Sequence, residues 1–121
     1  MGPFMLAYFR NSLERWRLEL LNESNHTLQS LQEGGNQESD VADRASIETE
    51  RSLELRTRER ARKLISKIDA ALARIEDRSY GYCEETKEKI SLKRLEARPI
   101  ATLSLEAQEQ HERMEKMHRD E

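Results

Sequence analysis

The chain has 121 residues, of which 37% are Asp, Glu, Lys or Arg, 36% are hydrophobic and 5% are aromatic, so it can form one small domain at most. Ala, Glu, Lys, Leu and Arg make up more than half of it, a bias that belongs to long amphipathic helices and excludes an all-β fold. A net charge of −3 gives no general attraction to nucleic acid phosphates or anionic membranes, which leaves any such binding to a local patch.

No apolar run approaches the ~20 residues that span a bilayer, and Met1 to Leu6 lack the basic start and long apolar core of a signal peptide. A cytoplasmic protein is expected. The one cysteine, Cys83, cannot close an internal disulfide, nor can it alone supply the three or four ligands of a structural zinc site.

The first predicted helix runs from about Phe4 to Glu33. Leu6, Phe9, Leu13, Trp16 and Leu20 recur at alternating steps of three and four, and the stripe resumes one position over at Leu21, Leu28 and Leu31. Gly34, Gly35 and Asn36 stop it, because they accept the left-handed backbone angles on which helices close. The helical pattern restarts near Asp40 and continues without Gly or Pro to Asp77, roughly 38 residues or about 57 Å. Its second half carries a heptad stripe of Ala61, Leu64, Ile68, Ala71 and Ile75, widened by Ile65 and Leu72. Its first half places Glu50, Glu54 and Thr57 at core positions and should pack more weakly. Neither helix can bury its stripe alone, so the two must run antiparallel as a coiled-coil hairpin over residues 1–78, with its tip at about 34–45.

After Asp77 the texture changes. Tyr80-Gly81-Tyr82-Cys83 and Ile90-Ser91-Leu92 are β-permissive and flank the polar Glu84-Glu85-Thr86-Lys87, which predicts a short β-hairpin, and Arg98-Pro99 forces an extended segment. Residues 79–103 therefore read as a small globular knob. From Thr102 or Ser104, either of which could cap, a last helix over residues 104–121 aligns Leu103, Ala107, Met114 and Met117 on one face, which should pack on the knob or stem. The predicted fold is thus mainly α: hairpin, knob and C-terminal helix.

Charge is segregated along this plan. Glu38, Asp40, Asp43, Glu48 and Glu50 face Arg44 alone near the tip, whereas Arg51, Arg56, Arg58, Arg60, Arg62, Lys63 and Lys67 outnumber Glu54 and Glu59 on the second helix. Asp40 is a good N-cap, and Asp43 sits in the first turn, where a negative charge meets the helix dipole. At the end of a projecting hairpin the same carboxylates could also reach a cation or basic residues in a partner's cleft. The basic cluster is either a solvated face with pairs such as Glu59 and Lys63, or a surface for an acidic partner or polyphosphate. Cys83 reads as a small buried side chain. His26 lies on the first helix, His111 and His118 on the last, and there is no Gly-rich phosphate loop or CxxC pair, so nothing points to an enzyme.

Four ordered motifs resemble the DksA/TraR family of bacterial transcription regulators. They are Asp40-x-x-Asp43-x-Ala45, Ser52-Leu53-Glu54-Leu55-Arg56-x-Arg58, Tyr80-Gly81-Tyr82-Cys83-Glu84 and Leu95-Glu96-Ala97-Arg98-Pro99, and the likeness runs from about Phe9 to the C-terminus. The resemblance implies a hairpin that enters the secondary channel of RNA polymerase, with tip residues Asp40, Asp43 and Ala45 near the active site. It also implies cooperation with the alarmone ppGpp through Arg60, Leu64 and Lys67 on the stem and Arg94 and Arg98 in the knob, although Gln108 stands where a basic residue is often found. Typical members hold zinc with two CxxC pairs. Here those positions read Cys83, Thr86, Ser104 and Ala107, and the chain resembles the cysteine-poor members, so no zinc is expected and the knob should hold by packing Tyr80, Tyr82, Ile90, Leu92, Leu95 and Ile100. The function implied is non-enzymatic regulation of initiation by a monomer that does not bind DNA itself. The alternatives are a transcript-cleavage factor whose tip carboxylates hold a second Mg²⁺, and a helical hairpin that oligomerises through its stripe.

Overall fold

The computed structural model describes the backbone of residues 1–34 and 41–120 and, within these, the side chains of all but 27, 28, 30–34, 41–43 and 120. The element order is α1 (Pro3–Gly34), α2 (Val41–Asp77), α3 (Leu92–Ala97) and α4 (Leu105–Asp120). The chain divides into two compact units, one made of Met1–Leu13 with Ala70–Glu121, the other of Glu14–Asp69.

In the Glu14–Asp69 unit, α1 and α2 pack along the predicted stripes. Leu20, Ala61 and Ile68 are buried, and Leu21, Leu64 and Ile65 are half-buried. Arg17 Nε donates to Asp69 Oδ1 at 2.8 Å, while Leu20 and Ser24 meet Thr57 and Ala61 further along. Contacts that advance on one helix as they retreat on the other define an antiparallel pair. The weak first half of α2 is visible as Glu50 and Thr57 exposed and Glu54 half-buried. Leu28, Leu31 and the turn residues Gly35 and Asn36 lie outside the described residues, whether wholly or in their side chains.

The other unit holds most of the core. Phe9, Leu13, Ala71, Ile75, Tyr80, Cys83, Ile90, Leu95, Ile100, Ala101 and Ala107 are all buried there. Phe9 rests against Tyr80 with ring centroids 5.6 Å apart, and the Tyr80 hydroxyl donates to Pro99 O at 2.8 Å. Arg10 of α1 pairs with Glu76 of α2 at 3.3 Å, which keeps the antiparallel order. Helix α2 closes without glycine: Arg78 takes φ 66, and the N–H groups of Ser79 and Tyr80 both donate to Arg74 O, a left-handed closure of the kind usually left to Gly. Gly81, at φ +89, is the position where a side chain would be strained.

The expected β-hairpin is corrected. Among the described residues it reduces to one isolated antiparallel bridge, Tyr82 with Lys89, held by Cys83 N to Glu88 O at 2.8 Å and Ile90 N to Gly81 O at 2.8 Å. The reason is local. Ser91 has an extended backbone and its hydroxyl accepts from Arg94 N, so it caps α3 at once and Leu92 starts a helix instead of prolonging a strand. Pro99 then ends that helix, because the residue before a proline is pushed out of the α region, and Arg98 stands at φ −144, ψ 86.

The expected packing face of the last helix is corrected in part. Ala107 is buried and Leu103 half-buried, but Met114 and Met117 are exposed, so α4 is packed through its first turn. Of the two candidate caps the structure uses Ser104, whose hydroxyl accepts from Ala107 N at 3.2 Å. In the knob, Tyr82 and Leu92 are exposed while Tyr80, Ile90, Leu95 and Ile100 form the core.

Candidate functional site

The candidate residues fall into three groups. Of the tip group, Asp40 and the side chain of Asp43 lie outside the described residues, although the Asp43 backbone belongs to the first turn of α2. Ala45 is exposed on the same helix.

The second group is the basic face of α2 in the Glu14–Asp69 unit. Arg56, Arg60, Lys63 and Lys67 are all exposed, and their spacing of four, three and four places them along one edge of the helix. Arg62, off that edge, pairs with Glu59 at 2.9 Å, the neighbour it finds in place of the anticipated Glu59–Lys63 contact. Arg60 and Leu64 line a groove of about 160 Å³ with Leu20, Thr57, Arg58 and Ala61. Glu23 and Ser24 line the same groove, so its guanidinium groups stand beside a carboxylate as well as apolar carbon.

The third group sits in the other unit. The positions Cys83, Thr86, Ser104 and Ala107 are brought together. Burial by itself would push the Cys83 thiol up, but hydrogen bonds from the Thr86 hydroxyl and N–H, and from the N–H groups of Ser104 and Glu85, outweigh it and bring the pKa from 9.0 down to about 6. Ser104 also caps α4 through Ala107 N, so the four positions form a turn-and-helix-start cluster around one sulfur. Two residues that the sequence names without a role join it: Glu85 and His111, whose side chains contact each other across 26 positions and tie the loop to α4. Arg98 is exposed. Arg94 is half-buried, and its Nε donates to Leu103 O at 2.9 Å. Gln108 donates to Glu112 at 3.2 Å.

Two family models match this chain. Residues 5–75 fit the DnaK suppressor protein DksA, N-terminal domain, and residues 78–113 fit the prokaryotic dksA/traR C4-type zinc finger. The chain belongs to the DksA family. It is 62% identical, over 98% of its length and 86% of the relative's, to the RNA polymerase-binding transcription factor DksA of Caulobacter vibrioides. It is 45% identical, over 88% of its length and 70% of the relative's, to the protein of that name in Escherichia coli K12. Its structure superimposes on that of transcription factor DksA2 from Pseudomonas aeruginosa with a TM-score of 0.88 at 42% identity, over 96% of this chain and 89% of the other.

The second family match corrects an expectation. Residues 78–113 belong to a C4-type zinc finger family, which points to zinc in this region, and the expectation of no metal does not stand. Missing thiols do not decide the matter, because the region as a whole matches the zinc-finger family. The donors themselves do not make a four-thiolate site: Cys83 supplies a sulfur, Thr86 and Ser104 supply hydroxyls and Ala107 supplies nothing. Among the described residues no group of three or more His, Cys, Asp and Glu side chains is placed to hold a metal ion. Likewise, among the described residues no helix is long and apolar enough to cross a membrane.

Proposed function

We propose that this chain regulates transcription initiation by binding RNA polymerase through its secondary channel, with the hairpin tip acting near the active site and ppGpp as co-regulator. The observation that carries the reading is 62% identity, over 98% of the chain, to a protein named for binding RNA polymerase. In this reading Asp40 and Asp43 perturb the electrostatics around the catalytic magnesium or the mobile loops of the enzyme, and Ala45 keeps the tip narrow. Arg60, Leu64, Lys67 and Arg98 serve the polymerase and the nucleotide by contact, while Arg94, whose Nε is engaged by Leu103 O, serves them from within the fold. The basic edge of α2 supports this assignment, since a line of exposed cations favours a polyanionic or acidic partner. Gln108, engaged by Glu112, adds no charge to it.

No covalent step by the chain is required. A fixed perturbation of the open complex matters most where the balance between open and closed states is close, so promoters with unstable open complexes respond most. The protein acts in the cytoplasm, as a monomer, without touching DNA. The test is transcription in vitro from a ribosomal RNA promoter, with and without ppGpp, beside a stalled-complex cleavage assay. A shortened open-complex lifetime with intact transcripts supports initiation control; shortened transcripts would replace it with the cleavage-factor reading.

A further inference from the structure

Arg94 is engaged within the protein by its backbone and its side chain. Its N–H donates to Ser91 Oγ at 3.2 Å, its carbonyl accepts from Arg98 N at 2.8 Å, and its Nε donates to Leu103 O at 2.9 Å in a partly buried contact. The last of these links α3 to the residue immediately before Ser104, the N-cap of α4. The same short segment is held by a second element: Glu84 N donates to Thr102 O at 2.9 Å, and Ser104 N points at the Cys83 sulfur. The segment 102–104 has no regular partner strand, and α4 is buried by its first turn alone. The start of α4 is therefore held by these few contacts, with the Glu85–His111 contact one turn further along the helix.

We infer that Arg94 is a positioning residue: through Nε and the Leu103 carbonyl it fixes the start of α4, and its contribution to regulation passes through that helix start and not through a charge contact with an anion. The regulatory half of this statement rests on the function proposed above; the structural half does not. A guanidinium that serves as an anion ligand works through its charge and its fork of Nη donors. A guanidinium that serves as a clasp works through one donor at one place.

Two conservative substitutions separate these roles. Gln carries its amide nitrogen on Cδ, where Arg carries Nε, so Arg94→Gln keeps a donor for Leu103 O and loses the charge. Arg94→Lys keeps the charge but has a methylene at the place of Nε and its nitrogen one bond further out. Arg94→Met keeps neither. In the full-length chain, amide exchange at Ala107 and Gln108, whose N–H groups bond to Ser104, should rise roughly three- to tenfold in the Lys and Met variants, the range expected for loss of one partly buried hydrogen bond, and stay within about twofold in Arg94→Gln. The transcription response should follow the same order, with Gln retaining it and Lys losing it. A response kept by Lys and lost by Gln would overturn the inference in favour of a charge contact. Unchanged exchange in all three variants would overturn it by showing that nothing is clasped. Exchange in the expected order, with neither wild type nor variant affecting transcription, would uphold the clasp and remove the proposed function.

Discussion

The two compact units differ in how they spend their side chains. In the Glu14–Asp69 unit only Leu20, Ala61 and Ile68 are buried apolar residues among those described, while in the other unit Phe9, Tyr80, Leu95 and their neighbours form a continuous core. A two-helix layer has no third element to cover its flanks, so its stability rests on one narrow seam, and its outer faces are free to carry charge. The lesson is a division of labour within a small chain: one unit is selected for packing, the other for the surface it presents.

The sharpest break of that comparison is a pair of leucine truncations. Leu95→Ala removes a side chain with no solvent exposure from the core of the unit made of Met1–Leu13 and Ala70–Glu121 and should cost ~2–5 kcal/mol, because the surroundings cannot fully collapse on the void. Leu53→Ala, at a position 55% exposed on α2, should change stability by less than ~0.5 kcal/mol. Denaturant unfolding of the full chain followed by circular dichroism measures both. Equal costs would show that burial does not divide the chain in this way.

Next in size is the Tyr80 hydroxyl. Burial, opposed weakly by the charge of Arg74, raises its pKa from 10.0 to about 12. The folded state thus favours the neutral phenol. The associated stability is fully present below pH 10 and is lost as the pH rises from 10 towards 12, up to ~2–3 kcal/mol for a shift of this size. In Tyr80→Phe this loss between pH 10 and 12 should be missing, although at neutral pH the variant gives up the bond to Pro99 O and leaves that carbonyl without its donor. A wild-type stability that is flat across that window would contradict a buried, neutral tyrosine.

In the other unit the order of effects inverts, with small costs in stability and large ones in function. Asp43→Asn should remove regulation while leaving polymerase affinity within a few-fold, since a charge in the first turn is worth only ~0.3–1 kcal/mol to the helix. Arg60→Glu combined with Lys67→Glu should instead weaken polymerase binding or the ppGpp response, because exposed cations on one edge of α2 become anions. Competition binding to polymerase and promoter transcription, run together, tell the two apart. Regulation that survives Asp43→Asn would remove the tip from the mechanism, and binding that survives the double reversal would reduce the basic edge to a solvated face.

The legibility of these features follows from their range. The heptad stripe of α2 was readable because Ala61, Ile68, Ala71 and Ile75 repeat on one helix, and all four are buried. Helix α3 was not, because six residues hold no full period; its signal was the Ser91-x-x-Arg94 cap, obscured by the β-branched Ile90 before it. The Arg94 to Leu103 and Glu85 to His111 contacts depend on chain folding over nine and 26 positions, and no local pattern announces them. Met114 and Met117 are the converse case: their periodicity is real, but both are exposed and no element among the described residues covers that face. Metal in residues 78–113 is not legible from ligand identity, because one thiol stands at the four family positions while the region as a whole matches the zinc-finger family.

The smallest expected effect lies at that long-range pair. The contact with Glu85, as a hydrogen bond and then as a charge, raises the His111 pKa above its ordinary 6.5. A histidine whose folded pKa is raised contributes stability that is fully present below the unfolded value and disappears as the pH climbs through the folded one. Both side chains are about half exposed, so solvent screens the pair and its worth to the global fold should be close to nothing. The measurable consequence is the titration itself. Followed by NMR in the full chain, the His111 ring should titrate above the ordinary histidine value, and Glu85→Gln should bring it back towards that value with the unfolding midpoint unchanged. If the His111 titration is the same before and after that substitution, the tie between the 84–87 loop and α4 is not made in solution, and the start of that helix is left to the contacts of Arg94, Glu84 and Ser104.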